Sequence, residues 1–241
     1  MERLLCIFAL FPLLAAAQQN ISGPHRKIFT PSGGSPTLVQ DCSFNSSSSS
    51  ASSVTCTMGA AITAGNQLYA CVSSSGAGPI TITWSGDSGT FTADPGAGTA
   101  ITSSVWGSTR NTTCVYVPSA SGGGTTLTAT ATLSYPQINA VEVHGGVFDQ
   151  SDNSVHGSGT TGTSGSITPT ANNSLLIGFV AVESGTPTFT AGTNVAWTLS
   201  AHPTVRSTTE YFTQTTAASV DAQMTWTGST YYFIHIVDFH P

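Results

Sequence analysis

Residues 63–72 read TAGNQLYACV, in which a Gly-Asn turn signal leads into a run of strand-forming residues. Segments of this kind recur along the chain with period-2 alternation of β-branched and aromatic residues, and clusters of Gly, Pro, Ser and Asn separate them. Helical periodicity is almost absent after residue 17. Many short strands at this spacing predict an all-β fold, either a β-sandwich or a jelly roll.

The strand pattern repeats. TAGNQLYACV matches TANNSLLIGFV at an offset of 107 residues, GTFTA matches VAWTLSA at an offset of 106, and SYPQINAVEVH matches TYYFIHIVDFH at an offset of 96. These matches predict a duplication of a unit of about five antiparallel strands. Half-units of this kind leave a bare apolar face, so we expect halves of about 38–148 and 165–241 to share one core. We interpret 157–166, GSGTTGTSGS, as the connector; two independent domains are the alternative.

The chain begins with MERLLCIFALFPLLAAAQQ, which has one early basic residue, an apolar run and an A-x-A pattern. This predicts a signal peptide over 1–17, since the apolar run is shorter than the roughly 20 residues that span a bilayer. We expect an extended segment over 18–37 and a single β-sandwich domain over 38–241. No later segment is apolar enough to cross a membrane, so we expect a secreted or cell-surface protein.

Charge is sparse, at 7% of residues with a net value of −6. After residue 17 the only basic residues are Arg26, Lys27, Arg110 and Arg206. Because four basic side chains cannot neutralise a row of phosphates, we do not expect nucleic acid as a partner.

Four cysteines remain after the predicted cleavage. An even number in an exported chain predicts two disulfides, with three possible connectivities. We favour Cys42 with Cys56, because QDCSF and VTCTM are typical of neighbouring strands, and therefore Cys71 with Cys114. Each closed loop would stabilise the fold by roughly 3 to 4 kcal/mol in the chain-entropy model. A zinc site is the alternative, although no C-x-x-C spacing accompanies these residues.

An acid and a histidine alternate at the end of two matched strands, VEVHGG and IVDFHP. The repeat places Glu142 opposite Asp238 and His144 opposite His240. Side chains at i and i+2 lie about 7 Å apart on one face of a strand. If the two strands are neighbours, these groups are candidates for a metal site or an acid and base pair. The alternative is a structural role where each apolar face meets solvent.

Other acids offer separate possibilities. Glu210, in TTEYF, is a candidate glycosidase carboxylate, as are Glu142 and Asp238, because that chemistry needs two carboxyl groups about 5 to 9.5 Å apart. The oxygen-rich segment FDQSDNS carries Asp149 and Asp152 and is a candidate for a structural calcium ion; apart from this candidate, we expect no cofactor. A plain turn is the alternative for that segment.

Aromatic side chains are the remaining candidates for binding a ligand. Trp84, Trp197 and Trp226 alternate in phase with apolar neighbours, which predicts that they lie in the core. The aromatic residues without such a phase are candidates for a binding platform: Trp106, Tyr211, Tyr231 and Tyr232.

The series TAGNQLYACV, ITWSGDSGTFTA and INAVEVHGG resembles a group of uncharacterised secreted bacterial β-sandwich proteins. These proteins carry a GNxL strand, a D-x-x-G-x-x-[FY] turn and an E-[YV]-x-G strand end. The resemblance covers most of residues 38–240 and implies an extracellular jelly-roll module without an established activity. It makes Glu142 a marker of the fold. The second copy departs from the pattern, with Asp238 as the acid and Pro241 in place of the glycine.

These observations favour a secreted, non-catalytic binding or adhesion module, with a glycan or a cell-surface polymer as the expected ligand. A structural component of an extracellular assembly is one alternative, because exposed strand edges can pair with neighbouring chains. A polysaccharide-acting enzyme that uses Glu142, Asp238 or Glu210 is the other.

Overall fold

The computed structural model describes residues 34–45, 51–75, 81–85, 92–93, 101–103, 108–133, 135–153, 155–200 and 206–241. Residues 31–241 belong to one compact unit. The signal-peptide prediction for 1–17 and most of the segment 18–37 lie outside the described residues, and so does Trp106. The part of the chain that is described has no helix that could span a membrane.

The described residues form sixteen strands and no helix, which confirms the all-β prediction. The strands are β1 (Thr37–Asn45), β2 (Ala51–Thr57), β3 (Gln67–Ser75), β4 (Thr81–Trp84), β5 (Thr92–Ala93), β6 (Ile101–Ser103), β7 (Ser108–Val117), β8 (Thr126–Leu133), β9 (Gln137–His144), β10 (Val147–Ser151), β11 (Val155–Thr163), β12 (Ser174–Val182), β13 (Phe189–Thr190), β14 (Thr198–Leu199), β15 (Ser207–Gln214) and β16 (Gln223–His240).

These strands build three antiparallel sheets. Sheet 1 has the order β1-β9-β3-β7-β5, with β6 also on β7. Sheet 2 has the order β10-β16-β12-β15-β14, with β11 and β13 also on β16. Sheet 3 is the short series β2-β8-β4. The change from sheet 1 to sheet 2 falls between β9 and β10, at Gly145 and Gly146, which both have positive φ.

Sheets 1 and 2 pack face to face over a common apolar interior. β15 of sheet 2 contacts β1 and β9 of sheet 1, whereas Phe148 of β10 stacks on Tyr116 of β7 with ring centroids 4.6 Å apart. The two strand orders therefore run in opposite directions across the interface. The buried residues of this inner core are Tyr69, Cys71, Cys114, Val141, Val143, Leu175, Ile177, Phe179, Ala181, Phe233, Val237 and Phe239.

Two further cores lie on the outer faces. Leu68, Ala70 and Val72 alternate with the inner residues of β3 and pack beneath sheet 3. On the far side of sheet 2, Leu176, Val180 and Val182 pack beneath β13 and the neighbouring loops. Trp84 belongs to the first of these cores, and Trp197 and Trp226 belong to the second, so the predicted burial of all three indoles is confirmed.

Both predicted disulfides form. Cys42–Cys56 closes a sequence separation of 14 residues, and Cys71–Cys114 closes one of 43. Cys42 and Cys56 lie on strands of different sheets, so the first bridge ties sheet 1 to sheet 3 rather than joining paired neighbours. Cys71 and Cys114 face each other across β3 and β7. The two bridges are compatible with an extracellular location.

Sheets 1 and 2 have corresponding strand orders, although the duplication itself stays a prediction. β5 and β14 pair with β7 and β15 in matching positions, at the expected offset of 106 residues. For the preceding strands, β3 and β12, the sequence match has an offset of 107 residues, which is one residue less than the offset between equivalent positions in the two sheets. Leu68 lies opposite Glu142, whereas Leu176 lies opposite Asp238, an offset of 176 − 68 = 108.

The predicted connector 157–166 is wrong. Most of this segment belongs to β11, which pairs along β16. Its glycines permit close packing: a Cβ at Gly157 would lie 2.5 Å from the Tyr232 hydroxyl, and one at Gly162 would lie 3.0 Å from its ring. The Gly-rich composition therefore reflects an aromatic ring that lies across the strand.

Candidate functional site

Glu142 is fully buried at the end of β9, and three donors hold its carboxylate. Oε1 accepts hydrogen bonds from the Thr63 backbone N–H (2.9 Å) and from Asn66 Nδ2 (2.5 Å), and Oε2 accepts one from Gln40 Nε2 (2.5 Å). Gln40 also bonds both backbone groups of Ala60. The carboxylate therefore ties β1 and the loop before β3 to β9.

The TAGN sequence is the loop that holds this carboxylate. Gly65 has φ +89°, which an L side chain rarely adopts, and it lets the chain turn so that Thr63 and Asn66 point to the same acid. The GNxL and E-[YV]-x-G elements of the sequence thus meet in space. Their function in this chain is to fix a turn on a strand end.

His144 is exposed and does not share a site with Asp238 or His240. Its Nδ1 donates to Asn66 Oδ1 (2.9 Å), so Asn66 links the histidine to Glu142. β9 and β16 belong to different sheets and are not paired neighbours. The acid and histidine of the two strands were candidates for one site only if the matched strands were neighbours, and this condition is not met.

Asp238 instead meets Asp149. β10 pairs with β16, and a bulge at Asp149 shifts the register between Phe148 and Gln150. Asp149 Oδ2 accepts hydrogen bonds from Thr170 N (2.9 Å) and Thr170 Oγ1 (2.8 Å). Asp238 is fully buried; its carboxyl interacts with Asp149 and with the Ser174 hydroxyl, and no backbone N–H among the described residues donates to it.

The two carboxyls titrate in opposite directions. Burial, followed by the neighbouring Asp149 carboxylate, raises the pKa of Asp238 to about 8. Burial alone raises the pKa of Asp149, but hydrogen bonds from Thr170, the proton on Asp238 and the charge of His240 together lower it. The pair therefore holds one proton near neutral pH, on Asp238. Of the predicted metal ligands, Asp149 and Asp238 are brought together, and His240 acts on Asp149 through its charge alone.

Glu210 lies apart from the other acids, fully buried on β15. Its oxygens accept hydrogen bonds from Gly192 N (2.9 Å) and Gln223 N (3.0 Å), so it holds two loop segments to sheet 2. Burial raises the pKa of Glu210 to about 7, against the opposing effect of these two donors. Gly178 makes room for it, because a Cβ there would lie 2.9 Å from Glu210 Cγ.

Asp152 belongs to a buried chain of hydrogen bonds that the sequence did not predict. Its carboxylate accepts hydrogen bonds from Gly165 N (2.7 Å) and Ile236 N (3.0 Å) and pairs with His235 Nδ1 at 2.5 Å. His235 Nε2 lies 2.6 Å from the hydroxyl of Tyr69 on β3. The signal was present in FIHIVDF, where period 2 places His235 in phase with Phe233 and Val237.

Within the described residues, one group of three metal-type side chains converges: Cys71, Cys114 and His235 have ligand atoms within 4.8 Å of one another. The two sulfurs are joined in a disulfide. Both ring nitrogens of His235 already have partners in Tyr69 and Asp152. This cluster is therefore part of the inner core and offers no open ligand position.

The predicted aromatic platform is not assembled by the described residues. Tyr211 packs against the inner core and Tyr232 against the outer core of sheet 2, where its ring meets Trp226 edge-on at 5.1 Å. Tyr231 and Tyr232 are consecutive on β16 and point to opposite faces. A different ring is exposed: Tyr135 has 38% of its surface accessible and a backbone φ of +49°.

Comparisons with protein-family models, with curated proteins and with solved structures found no match for this chain. The resemblance to secreted bacterial β-sandwich proteins accordingly stays a prediction based on short motifs.

Proposed function

We propose that this chain is a non-catalytic adhesion module of the cell exterior and that it assembles with further copies through the free edge of β1. The observation that carries the proposal is the exposure of two apolar side chains on that strand, Val39 at 48% and Phe44 at 45%. They are the most exposed large hydrophobic residues in the described part of the chain.

β1 lies at the end of sheet 1, so one side of its backbone has no strand partner among the described residues. Proteins protect such edges with charge, proline or bulges, because an open edge pairs readily with another chain. β1 has a bulge near Val39, but its only charged residue, Asp41, is buried and accepts a hydrogen bond from Ser200. An edge with apolar side chains and little protection favours strand addition.

The acids support a non-catalytic function. Glu142 and Glu210 are fully buried and bonded to the loops that they fix. Asp149 and Asp238 interact directly, whereas glycosidase carboxyls stand about 5 to 9.5 Å apart around a sugar. The polysaccharide-acting enzyme therefore receives less support from the geometry than the adhesion module does.

Sedimentation velocity of the mature chain tests this proposal. We expect the wild type to form dimers or larger species as its concentration rises, and Phe44→Lys to be monomeric, because a charge on the contact opposes edge pairing. Val147→Lys is the matched control, since Val147 is similarly exposed (37%) but lies on β10 of sheet 2. A monomeric wild type at every concentration, or association retained by Phe44→Lys, contradicts the proposal.

Glycan binding is the second candidate, and Tyr135 favours it. A non-glycine residue with positive φ is strained, and strain of this kind is concentrated at functional sites. Here it accompanies an exposed ring, which can stack on a sugar face. A glycan array should then show binding that Tyr135→Ala abolishes and Tyr231→Ala retains; a folded chain that binds no polysaccharide contradicts this candidate.

A further inference from the structure

We propose that Asp149 and Asp238 bind one hard divalent cation, calcium, between β10 and β16. This site is independent of the β1 edge and of any glycan surface. Its two carboxyls come from adjacent strands, and the bulge at Asp149 brings them into contact.

The carboxyl of Asp238 has few hydrogen-bond partners for its burial. An ionised carboxylate only accepts hydrogen bonds, so two facing carboxylates cannot satisfy each other. Asp238 is fully buried, no backbone N–H among the described residues donates to it, and its carboxyl interacts only with side chains, Asp149 and the Ser174 hydroxyl among them. Buried polar groups are normally paired, so an acceptor in this position calls for a cation or a proton.

The matched position in sheet 1 differs from Asp238 in its hydrogen-bond donors. Glu142 occupies the corresponding strand end and receives three donors, from Thr63, Asn66 and Gln40. In sheet 2 the corresponding loop donors from Thr170 go to Asp149 instead. The result is one extra carboxylate and no backbone donor for Asp238 among the described residues, which is the difference expected of a cation site.

The available atoms are oxygens: both carboxyl oxygens of Asp238, Oδ1 of Asp149, and the Ser174 hydroxyl that interacts with Asp238. Ser174 Oγ donates its proton to the Ala171 carbonyl (3.1 Å), so its lone pairs remain able to bind a cation. Asp149 is half-buried, so water can complete the coordination. An all-oxygen set with water positions suits calcium.

His240 is not placed among these ligands. Its Nδ1 lies 2.8 Å from the Pro241 oxygen, and it does not join the two aspartates in a group within 4.8 Å. A softer metal such as zinc prefers imidazole or thiolate ligands, so the site should prefer calcium to zinc.

Calcium titration of the chelator-treated mature chain tests the proposal, with thermal melting and isothermal calorimetry as readouts. At pH 8.5, calcium up to about 10 mM covers the roughly 0.1–1 mM affinity range of extracellular calcium modules. We expect saturable binding of one ion and a higher melting temperature. Asp238→Asn and Asp149→Asn should each weaken binding by about tenfold or more, since ligand charge sets affinity.

Asp221→Asn is the matched control, because Asp221 is a half-buried acid bonded to Asn194 at 2.6 Å, and it should keep wild-type calcium binding. Far-UV circular dichroism establishes that each variant is folded. The half-buried Asp149 supplies a second variant if Asp238→Asn does not fold. If the wild type shows no calcium binding, Asp149 and Asp238 share only a proton, and the proposal is overturned. Unchanged affinity in either aspartate variant overturns it as well.

Discussion

The hydroxyl of Tyr69 on β3 lies 2.6 Å from Nε2 of His235 on β16, and this hydrogen bond joins sheet 1 to sheet 2 within the buried interior. Asp152 completes the series through Nδ1 of the same ring. A buried imidazole is costly unless both nitrogens are paired, and here each nitrogen has one partner from a different part of the chain.

Tyr69→Phe should therefore destabilise the chain by about 1–3 kcal/mol, because it leaves Nε2 of His235 buried without its partner. Denaturant unfolding at pH 7 measures the change. Tyr211→Phe is the control, since that half-buried ring packs at the rim of the same core, and it should change stability by less than about 0.5 kcal/mol. Equal stability of Tyr69→Phe and wild type contradicts a stabilising bond between the sheets.

Glu210 should make stability depend on pH. Its folded pKa is about 7, against 4.5 for the ordinary group, so the folded chain holds this proton more tightly than the unfolded chain does. The resulting stabilisation is complete below about pH 4.5 and is lost as pH rises to about 7; its order of magnitude is 3 kcal/mol. Glu210→Gln should lose this slope in unfolding measurements from pH 4 to 8. An unchanged slope contradicts the assignment.

Asp238→Asn should stabilise the calcium-free chain at alkaline pH. The raised pKa of about 8 means that stability from the Asp238 proton is present below about pH 4 and is lost as pH rises through 8. An amide cannot ionise and can donate to Asp149. At pH 9, with chelator present, the variant should melt at a higher temperature than wild type, whereas at pH 4 the two should be similar. A variant that melts lower at pH 9 contradicts the shared-proton geometry.

The strands and cores follow largely from local pattern. Period-2 alternation depends only on neighbouring residues, so the burial of Trp84, Trp197 and Trp226 can be predicted from their apolar neighbours. The cysteine pairs follow from an even count and from strand positions.

The site required information that local pattern does not contain. Asp149 meets Asp238 only because β10 pairs with β16 through a bulge, and pairing partners and bulges depend on the whole sheet. The Gly-rich segment 157–166 has the composition of a linker, yet most of it forms strand β11, and the Tyr232 ring packs across it. His235 follows its apolar neighbours inward, but its partners Tyr69 and Asp152 are distant in sequence.

Hydrogen exchange tests most directly whether sheets 1 and 2 form one cooperative unit around the inner core. Amides of β3 (Gln67–Ser75) and β12 (Ser174–Val182) are compared in one sample of the mature chain. If the sheets depend on each other, the slowest amides of both strands should open with the same free energy, equal to that of global unfolding. A difference of more than about 1 kcal/mol between the two strands would show that the sheets open separately and would contradict the common core.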